Sequence, residues 1–141
     1  MVKKILVAFD GSDQSYEAFD FALDMAKICQ GVSVDIIVLS VAQPPEPIDI
    51  VEMDAIIESA TRHYEDLFEG LREKAEARNF EINTEVAIGH PADQIIRYAS
   101  ENECDMVVMG QRGKSKIGRW MLGSVSKRVA AHAACTVIIV K

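Results

Sequence analysis

Cysteine is scarce in this chain, and its few cysteines form no recognisable motif. Of the 141 residues three are cysteines, Cys29, Cys104 and Cys135, and they are widely separated with no C-x-x-C pair. This spacing favours neither a disulfide framework nor a zinc knuckle. We therefore expect a protein of the reducing cytoplasm.

The chain also lacks a long hydrophobic run. Its longest apolar stretches, such as Ile5 to Phe9 and Val137 to Val140, are far shorter than the about 20 residues that a membrane-spanning helix needs. No small-residue cleavage site follows the basic pair Lys3-Lys4, so export by a signal peptide is not expected. With 49% hydrophobic residues, residues 1–141 are expected to form one globular domain without a membrane partner.

Acidic residues are absent after Asp105. Residues 106–141 carry seven Lys or Arg and no Asp or Glu, whereas residues 1–105 carry eight Lys or Arg against 22 acidic residues. This asymmetry indicates an anion site in the last part of the chain. A net charge of −7 does not favour nucleic acid as a partner, because that polyanion needs an extended basic patch. A small phosphorylated ligand fits better.

Apolar runs and helical periodicities alternate along the chain. Residues 81–88 alternate apolar with polar side chains, which indicates a half-exposed strand at a sheet edge. Strands that alternate with helices pair in parallel through right-handed crossovers, so the sequence predicts a three-layer α/β sheet. The other strands are predicted at 3–9, 32–42, 105–109 and 136–140, and the helices after Ser12 or Asp13, over about 49–78, from Pro91 and over 124–133.

Two of these helices carry further signals. Gly31 stands where a left-handed cap would end the first helix. In the long second helix, helical spacing predicts one buried stripe. The residues of that stripe are Ile56, Ile57, Ala60, Tyr64, Leu67, Phe68, Leu71 and Ala75.

Residues 110 to 124, GQRGKSKIGRWMLGS, are the strongest candidate for the anion site. In open α/β sheets ligands lie beyond the carboxyl ends of the strands, and this segment follows the fourth predicted strand. Its glycines let backbone N–H groups approach an anion, and the helix from Ser124 offers free N–H groups and a positive dipole end. It is no Walker loop, because Arg119-Trp120 stands where Lys-Ser/Thr is required. The residues alone predict a phosphate-bearing ligand.

The spacing Gly110-x2-Gly113-x9-Gly123-Ser124 resembles the signature of the ATP-binding universal stress proteins. The likeness extends over the whole chain. It includes ILVAFDGS near the start, the sequence Gly89-x-Pro91-Ala92 before the third helix, and LGSVSKRV near the end. Spacing, strand context and the following helix agree, which makes the signature specific.

The resemblance implies a Rossmann-like fold of the adenine nucleotide alpha hydrolase type, with a five-stranded parallel sheet in the order 3-2-1-4-5. It implies ATP over the gap between strands 1 and 4, with Mg²⁺ or Mn²⁺ arriving on the phosphates, and a homodimer formed through strand 136–140. A role in a cytoplasmic stress response follows from the same likeness. The residues it assigns to ribose and phosphates are Gly110, Arg112, Gly113, Gly123, Ser124, Val125 and Ser126, and those it assigns to the nucleoside are Ala8, Asp10 and the backbone of Val41.

Three departures and three alternatives accompany this interpretation. Ala8 stands where some ATP-binding members have proline, and Ala134 and Thr136 replace prolines that often precede the last strand. The first alternative is an enzyme, a slow ATPase or an adenylyl-transfer catalyst, for which Asp13 is a candidate base. The second is a dimeric scaffold that binds no ligand, and the third is a solvated turn at 110–124. If the chain is instead a nucleotide-dependent regulatory protein, we expect nucleotide binding to order residues 111 to 122. We expect turnover of ATP to be negligible or very slow.

Overall fold

Five parallel strands form one sheet in the order β3-β2-β1-β4-β5. The computed structural model describes residues 2–29, 33–44, 49–112 and 123–141. The strand order implied by the resemblance is confirmed. In chain order the elements are β1 (Lys4–Ala8), α1 (Asp13–Ile28), β2 (Asp35–Ala42), α2 (Ile50–Glu76), β3 (Ile82–Ile88), α3 (Pro91–Glu101), β4 (Met106–Gly110), α4 (Ser124–His132) and β5 (Thr136–Val140).

Helices cover both faces of the sheet. On one face Ile5 and Val7 of β1 pack with buried residues of α1 and α2, among them Phe19 and Phe68. On the other face, Leu6 packs with buried residues of α3 and α4. Successive residues of β1 thus face opposite cores, which explains why this strand is apolar throughout. The predicted three-layer arrangement is confirmed.

The ends of α1 and β2 differ in part from the prediction. Ser12 caps α1, since its Oγ accepts from the Ser15 N–H at 3.2 Å. The helix ends at Ile28 with Cys29 as its C-cap, and the predicted glycine cap, Gly31, lies outside the described residues. The second strand begins at Asp35, later than the predicted residue 32.

The predicted stripe of α2 is only half right. Tyr64, Phe68, Leu71 and Ala75 are buried, and Ile57, Ala60 and Leu67 are half-buried. Ile56, however, is 36% exposed, and Ile50 and Val51 at the start of the helix are 79% exposed. The reason is length: 27 residues of helix extend about 40 Å, whereas the eight residues of β2 extend about 26 Å. The sheet therefore supports only the second half of the helix.

The edge positions of β3 and β5 agree with their sequences. Along β3, Ile82, Thr84 and Val86 are half-buried while Asn83 and Glu85 are exposed. This matches the predicted alternation up to Val86, whereas at the end of the strand Ala87 is half-buried and Ile88 is exposed. Across the described ranges of the chain, no helix is both long enough and apolar enough to span a bilayer.

Candidate functional site

A cavity of about 250 Å³ opens at the carboxyl ends of β1, β2 and β4. Its walls come from the ends of these strands and from the first turns of α1, α3 and α4. It lies where neighbouring strands β1 and β4 continue into crossovers that run in opposite directions along the sheet. Such a point is the usual place for a ligand in an open α/β sheet.

Nine of the ten predicted site residues line this one cavity, although they extend over 118 positions of the chain, from Ala8 to Ser126. The tenth, Gly113, lies outside the described residues, as do residues 114–122 of the predicted loop. The nine are Ala8, Asp10, Val41, Gly110, Arg112, Gly123, Ser124, Val125 and Ser126.

The sequence did not predict the rest of the lining. Strand periodicity could have predicted part of this lining. Residues two apart in a strand share a face, so Leu39 lies on the same face as the predicted site residue Val41. Pro91 and Ile95 share the inner side of the first turn of α3 for the corresponding helical reason. The lining residues that were missed are Phe9, Ser12, Ser15, Leu39, Pro91, Ile95, Met109 and Gln111.

The N-terminus of α4 forms the polar end of the cavity. Gly123 is the N-cap; its N–H donates to the Gln111 carbonyl at 2.9 Å, and the first helical bond runs from the Lys127 N–H to the Gly123 carbonyl. Within the described part of the chain, no side chain caps this helix. The backbone N–H groups of Ser124, Val125 and Ser126 therefore have no helical acceptor. Three N–H groups and the positive end of the helix dipole suit an anion.

The Ser126 hydroxyl makes its hydrogen bond within the protein. Ser126 is 2% exposed, and its Oγ donates to the Gln111 carbonyl at 2.6 Å and lies 3.1 Å from the Gly123 carbonyl. The resemblance implies a contact between this residue and the ligand. The hydroxyl thus already donates to the protein backbone, whereas the Ser126 N–H lies in the first turn of α4 without a helical acceptor.

Residues 110–112 begin the glycine segment, residues 110–124, and they are attached to two other elements. The Gln111 N–H donates to the carbonyl of Val140 at the end of β5 (2.8 Å), and the Arg112 N–H donates to Gln14 Oε1 in α1 (2.7 Å). Gly110 lies against the backbone of Gln14, so close that a Cβ would come within 2.8 Å of Gln14 Cβ. These contacts fix the position at which the chain leaves β4.

The other end of the cavity offers a backbone donor and acceptor at Val41. Pairing of β1 with β2 ends at Ala8 and Leu39, and the last bond runs from the Phe9 N–H to the Leu39 carbonyl (2.9 Å). Alternate residues of a parallel strand bond opposite neighbours, so Val41, two residues after Leu39, directs its N–H and C=O to the β1 side. Among the described residues, no backbone hydrogen bond joins Val41 to Phe9, Asp10 or Gly11, the residues that follow β1.

Asp10 lies between these two ends. One of its carboxylate oxygens, Oδ1, accepts from the Ser12 N–H at 2.9 Å, in a turn that Gly11 makes possible at φ +85°. Burial first, and the charge of the Asp10 carboxylate second, raise the pKa of Tyr64 in α2. Asp13, the candidate base of the enzyme alternative, is exposed in the first turn of α1 and lies outside the cavity lining.

The sequence model of the universal stress protein family matches residues 1–141. The chain belongs to the universal stress protein family. It is 33% identical over 152 residues to the universal stress protein YxiE of Bacillus subtilis, with all of both chains covered. The structure of the universal stress protein UspA from Lactobacillus plantarum superimposes with a TM-score of 0.83 at 25% identity, covering 99% of this chain and 97% of the other.

A structural neighbour carries a ligand. It is a universal stress protein in complex with cAMP, and it superimposes with a TM-score of 0.69 at 25% identity, covering 99% of this chain and 97% of its own. The family resemblance found in the glycine signature is confirmed by these comparisons. They add an adenine nucleotide as a ligand of a neighbour.

Proposed function

We propose that this universal stress protein binds ATP in the cavity between β1 and β4 and acts as a nucleotide-dependent regulatory protein of the cytoplasmic stress response. The observation that carries the proposal is the arrangement around the cavity. Within the described residues, a helix N-terminus without a capping side chain stands at one end, and a stretch of β2 without a β1 partner stands at the other, with a carboxylate between them. The helix N-terminus would bind the phosphates, the β2 backbone would bind the base, and the carboxylate would bind the ribose between them.

The Val41 end suits adenine. Adenine presents the acceptor N1 beside the donor N6–H₂, so a backbone N–H and C=O on the same edge of a strand complement it. Guanine presents a donor at N1 and an acceptor at O6, the reverse pattern. The apolar lining of Leu39, Ile95 and Met109 gives the flat faces of a base the surroundings that ligand sites generally provide.

The α4 end suits the phosphates. The N–H groups of Ser124, Val125 and Ser126 supply donors, and the chain from residue 106 onward adds positive charge with no acidic residue. Mg²⁺ or Mn²⁺ would arrive on the phosphates, because Mg²⁺ keeps several waters and usually binds through substrate phosphates and few carboxylates. The proposed ordering of residues 111 to 122 by nucleotide falls largely on residues outside those described.

Calorimetric titration of nucleotide-stripped protein with Mg–ATP tests the proposal, with Mg–GTP as the comparison. We expect Asp10→Asn to weaken ATP binding about tenfold, since a hydrogen bond to a charged acceptor is worth roughly 1.5–3 kcal/mol. Asparagine keeps an oxygen for the Ser12 N–H, so the turn survives. Asp13→Asn removes the same charge outside the cavity and should leave affinity within about twofold. A well-folded wild type that binds no adenine nucleotide would contradict the proposal.

We propose further that the protein is a homodimer joined through β5, because residues 136–140 carry no charge up to Lys141 and residues 137–140 are half-buried. In the described part of the chain β5 is the last strand of the sheet, and an uncovered apolar edge favours aggregation. Because the Val140 carbonyl bonds to Gln111 beyond β4, alternation directs the N–H groups of Val137 and Ile139 to the open edge. Those groups would pair with a second copy.

Val137→Pro tests the dimer. Proline removes an outward N–H while the bonds to β4 stay, and edge strands accept proline at such positions. We expect sedimentation velocity to show a dimer for the wild type and a monomer for the variant at the same micromolar concentration. Val137→Thr, which keeps the N–H and β-branching, is the matched control and should remain dimeric. A monomeric wild type would exclude this interface.

A further inference from the structure

We propose that Ser40 is a positioning residue that holds the sheet open at Val41 and so makes the base end of the site. The inference rests on the proposed function, that an adenine nucleotide binds in the cavity. Ser40 is nearly fully buried at 1% exposure in an otherwise apolar strand, IIVLSVA. A buried hydroxyl among aliphatic neighbours requires a hydrogen-bond partner.

That partner is the carbonyl of Phe9, to which Ser40 Oγ donates at 2.7 Å. Phe9 is the residue at which β1 leaves the sheet, and its N–H still makes the last ladder bond, to the Leu39 carbonyl. In an uninterrupted parallel ladder the next bond would run from the Val41 N–H to this same Phe9 carbonyl. The Ser40 hydroxyl takes the place of the Val41 N–H.

The competition between two donors for one acceptor determines whether Val41 is available. Phe9 is 2% exposed, so its carbonyl needs a donor from the protein. With the hydroxyl present the carbonyl is satisfied, and the Val41 N–H stays directed toward the cavity that Val41 lines. Without the hydroxyl, the ladder would extend by one bond and use the donor that adenine N1 requires.

Ser40 acts through the backbone and does not touch the ligand. The cavity lining includes its neighbours Leu39 and Val41 but not Ser40. Leu39 and Val41 pack on the core that α3 and α4 cover, and strand alternation places the Ser40 side chain on the opposite face. Its effect on binding should therefore depend on what the base offers to the Val41 N–H.

The test compares Ser40→Ala with wild type for three ligands: Mg–ATP, 1-deaza-ATP, in which a C–H replaces N1, and inorganic tripolyphosphate. We expect Ser40→Ala to weaken ATP about tenfold and to change the other two by less than about twofold. Ser40→Thr keeps the hydroxyl and suits a strand, so it should restore ATP affinity. Equal weakening of all three ligands would overturn the proposal, because it would indicate only general damage to the fold. An unchanged ATP affinity would overturn it as well.

A second measurement needs no ligand. Amide hydrogen exchange at Val41, relative to Leu39 in the same strand, should slow at least tenfold in Ser40→Ala, because the Val41 N–H would then bond to Phe9. An unchanged or faster relative exchange would overturn the proposal. If Ser40→Ala does not fold, Ser40→Cys, with a weaker donor, replaces it and should shift both measurements in the same direction.

The outcomes separate this inference from the proposed function. A wild type that binds no ATP refutes the function and, with it, the role of Ser40 in binding. A wild type that binds ATP, with a Ser40→Ala variant that binds it equally well, refutes only the role of Ser40.

Discussion

Replacing Ser124 by aspartate is expected to abolish high-affinity ATP binding while making the protein more stable. Ser124 is the exposed first residue of α4, a helix whose N-terminus lacks a capping side chain in the described part of the chain. An acidic residue there gains about 0.3–1 kcal/mol from the helix dipole. The same carboxylate would repel a phosphate about 4 Å away by roughly 4 kcal/mol, which exceeds a hundredfold in affinity.

The Ser124→Asp variant should weaken ATP binding and raise the stability of the fold, so general damage to the fold cannot explain the loss of binding. Calorimetry should show at least about a hundredfold weaker Mg–ATP binding, and thermal unfolding should show a higher midpoint. Ser124→Asn has nearly the same shape without the charge and should bind ATP within about threefold of wild type. If Ser124→Asp binds ATP as tightly as the wild type, the phosphates do not lie at the N-terminus of α4.

Replacing Gly110 by alanine is expected to destabilise the protein by about 2 kcal/mol, within the range for overpacking. The added Cβ would lie 2.8 Å from Gln14 Cβ, 3.1 Å from Gln14 C and 3.2 Å from Gln14 O. Two of these are backbone atoms of α1, so the end of β4 or the first turn of the helix must move. Because the Arg112 N–H bonds to Gln14, the start of the glycine segment would move too.

Gly70→Ala is the matched control. A Cβ at Gly70, inside α2, meets no atom within 4 Å, so alanine should raise stability by about 1 kcal/mol through helix propensity. Urea unfolding of both variants gives the comparison. Equal stability of Gly110→Ala and wild type would show that β4 and α1 do not approach so closely. A destabilised Gly110→Ala would explain the first glycine of the signature by packing against α1, in addition to its proposed place at the ligand site.

The parts of this protein that depend on local pattern were predictable. Alternating strands and helices, the Ser12 cap, Pro91 at the start of α3 and the edge character of β3 each follow from a few neighbouring residues. The strand order came from the resemblance. Pattern failed at Ile56, since helical spacing cannot show where the sheet beneath a long helix ends.

Many of the residues that line the candidate site were predictable from the sequence, but the hydrogen bonds that shape it were not. Nine of ten predicted residues surround one cavity, whereas the contacts that shape it join side chains to distant backbone. Gln14 bonds to Arg112 across 98 positions and Ser40 to Phe9 across 31. No periodicity or spacing pairs a hydroxyl with a carbonyl so far away. Only the register of neighbouring strands reveals that Ser40 and Val41 compete.

The strand order also places the strands of the acidic part of the chain and those of its basic part on two sides of the sheet. The half of the sheet from β3 to β1 belongs to residues 1–105, with eight basic against 22 acidic residues, and the half formed by β4 and β5 belongs to residues 106–141, with seven basic and none acidic. If the cavity binds a nucleotide as proposed, the basic residues after residue 105 would attract its phosphates, and added salt would weaken that attraction.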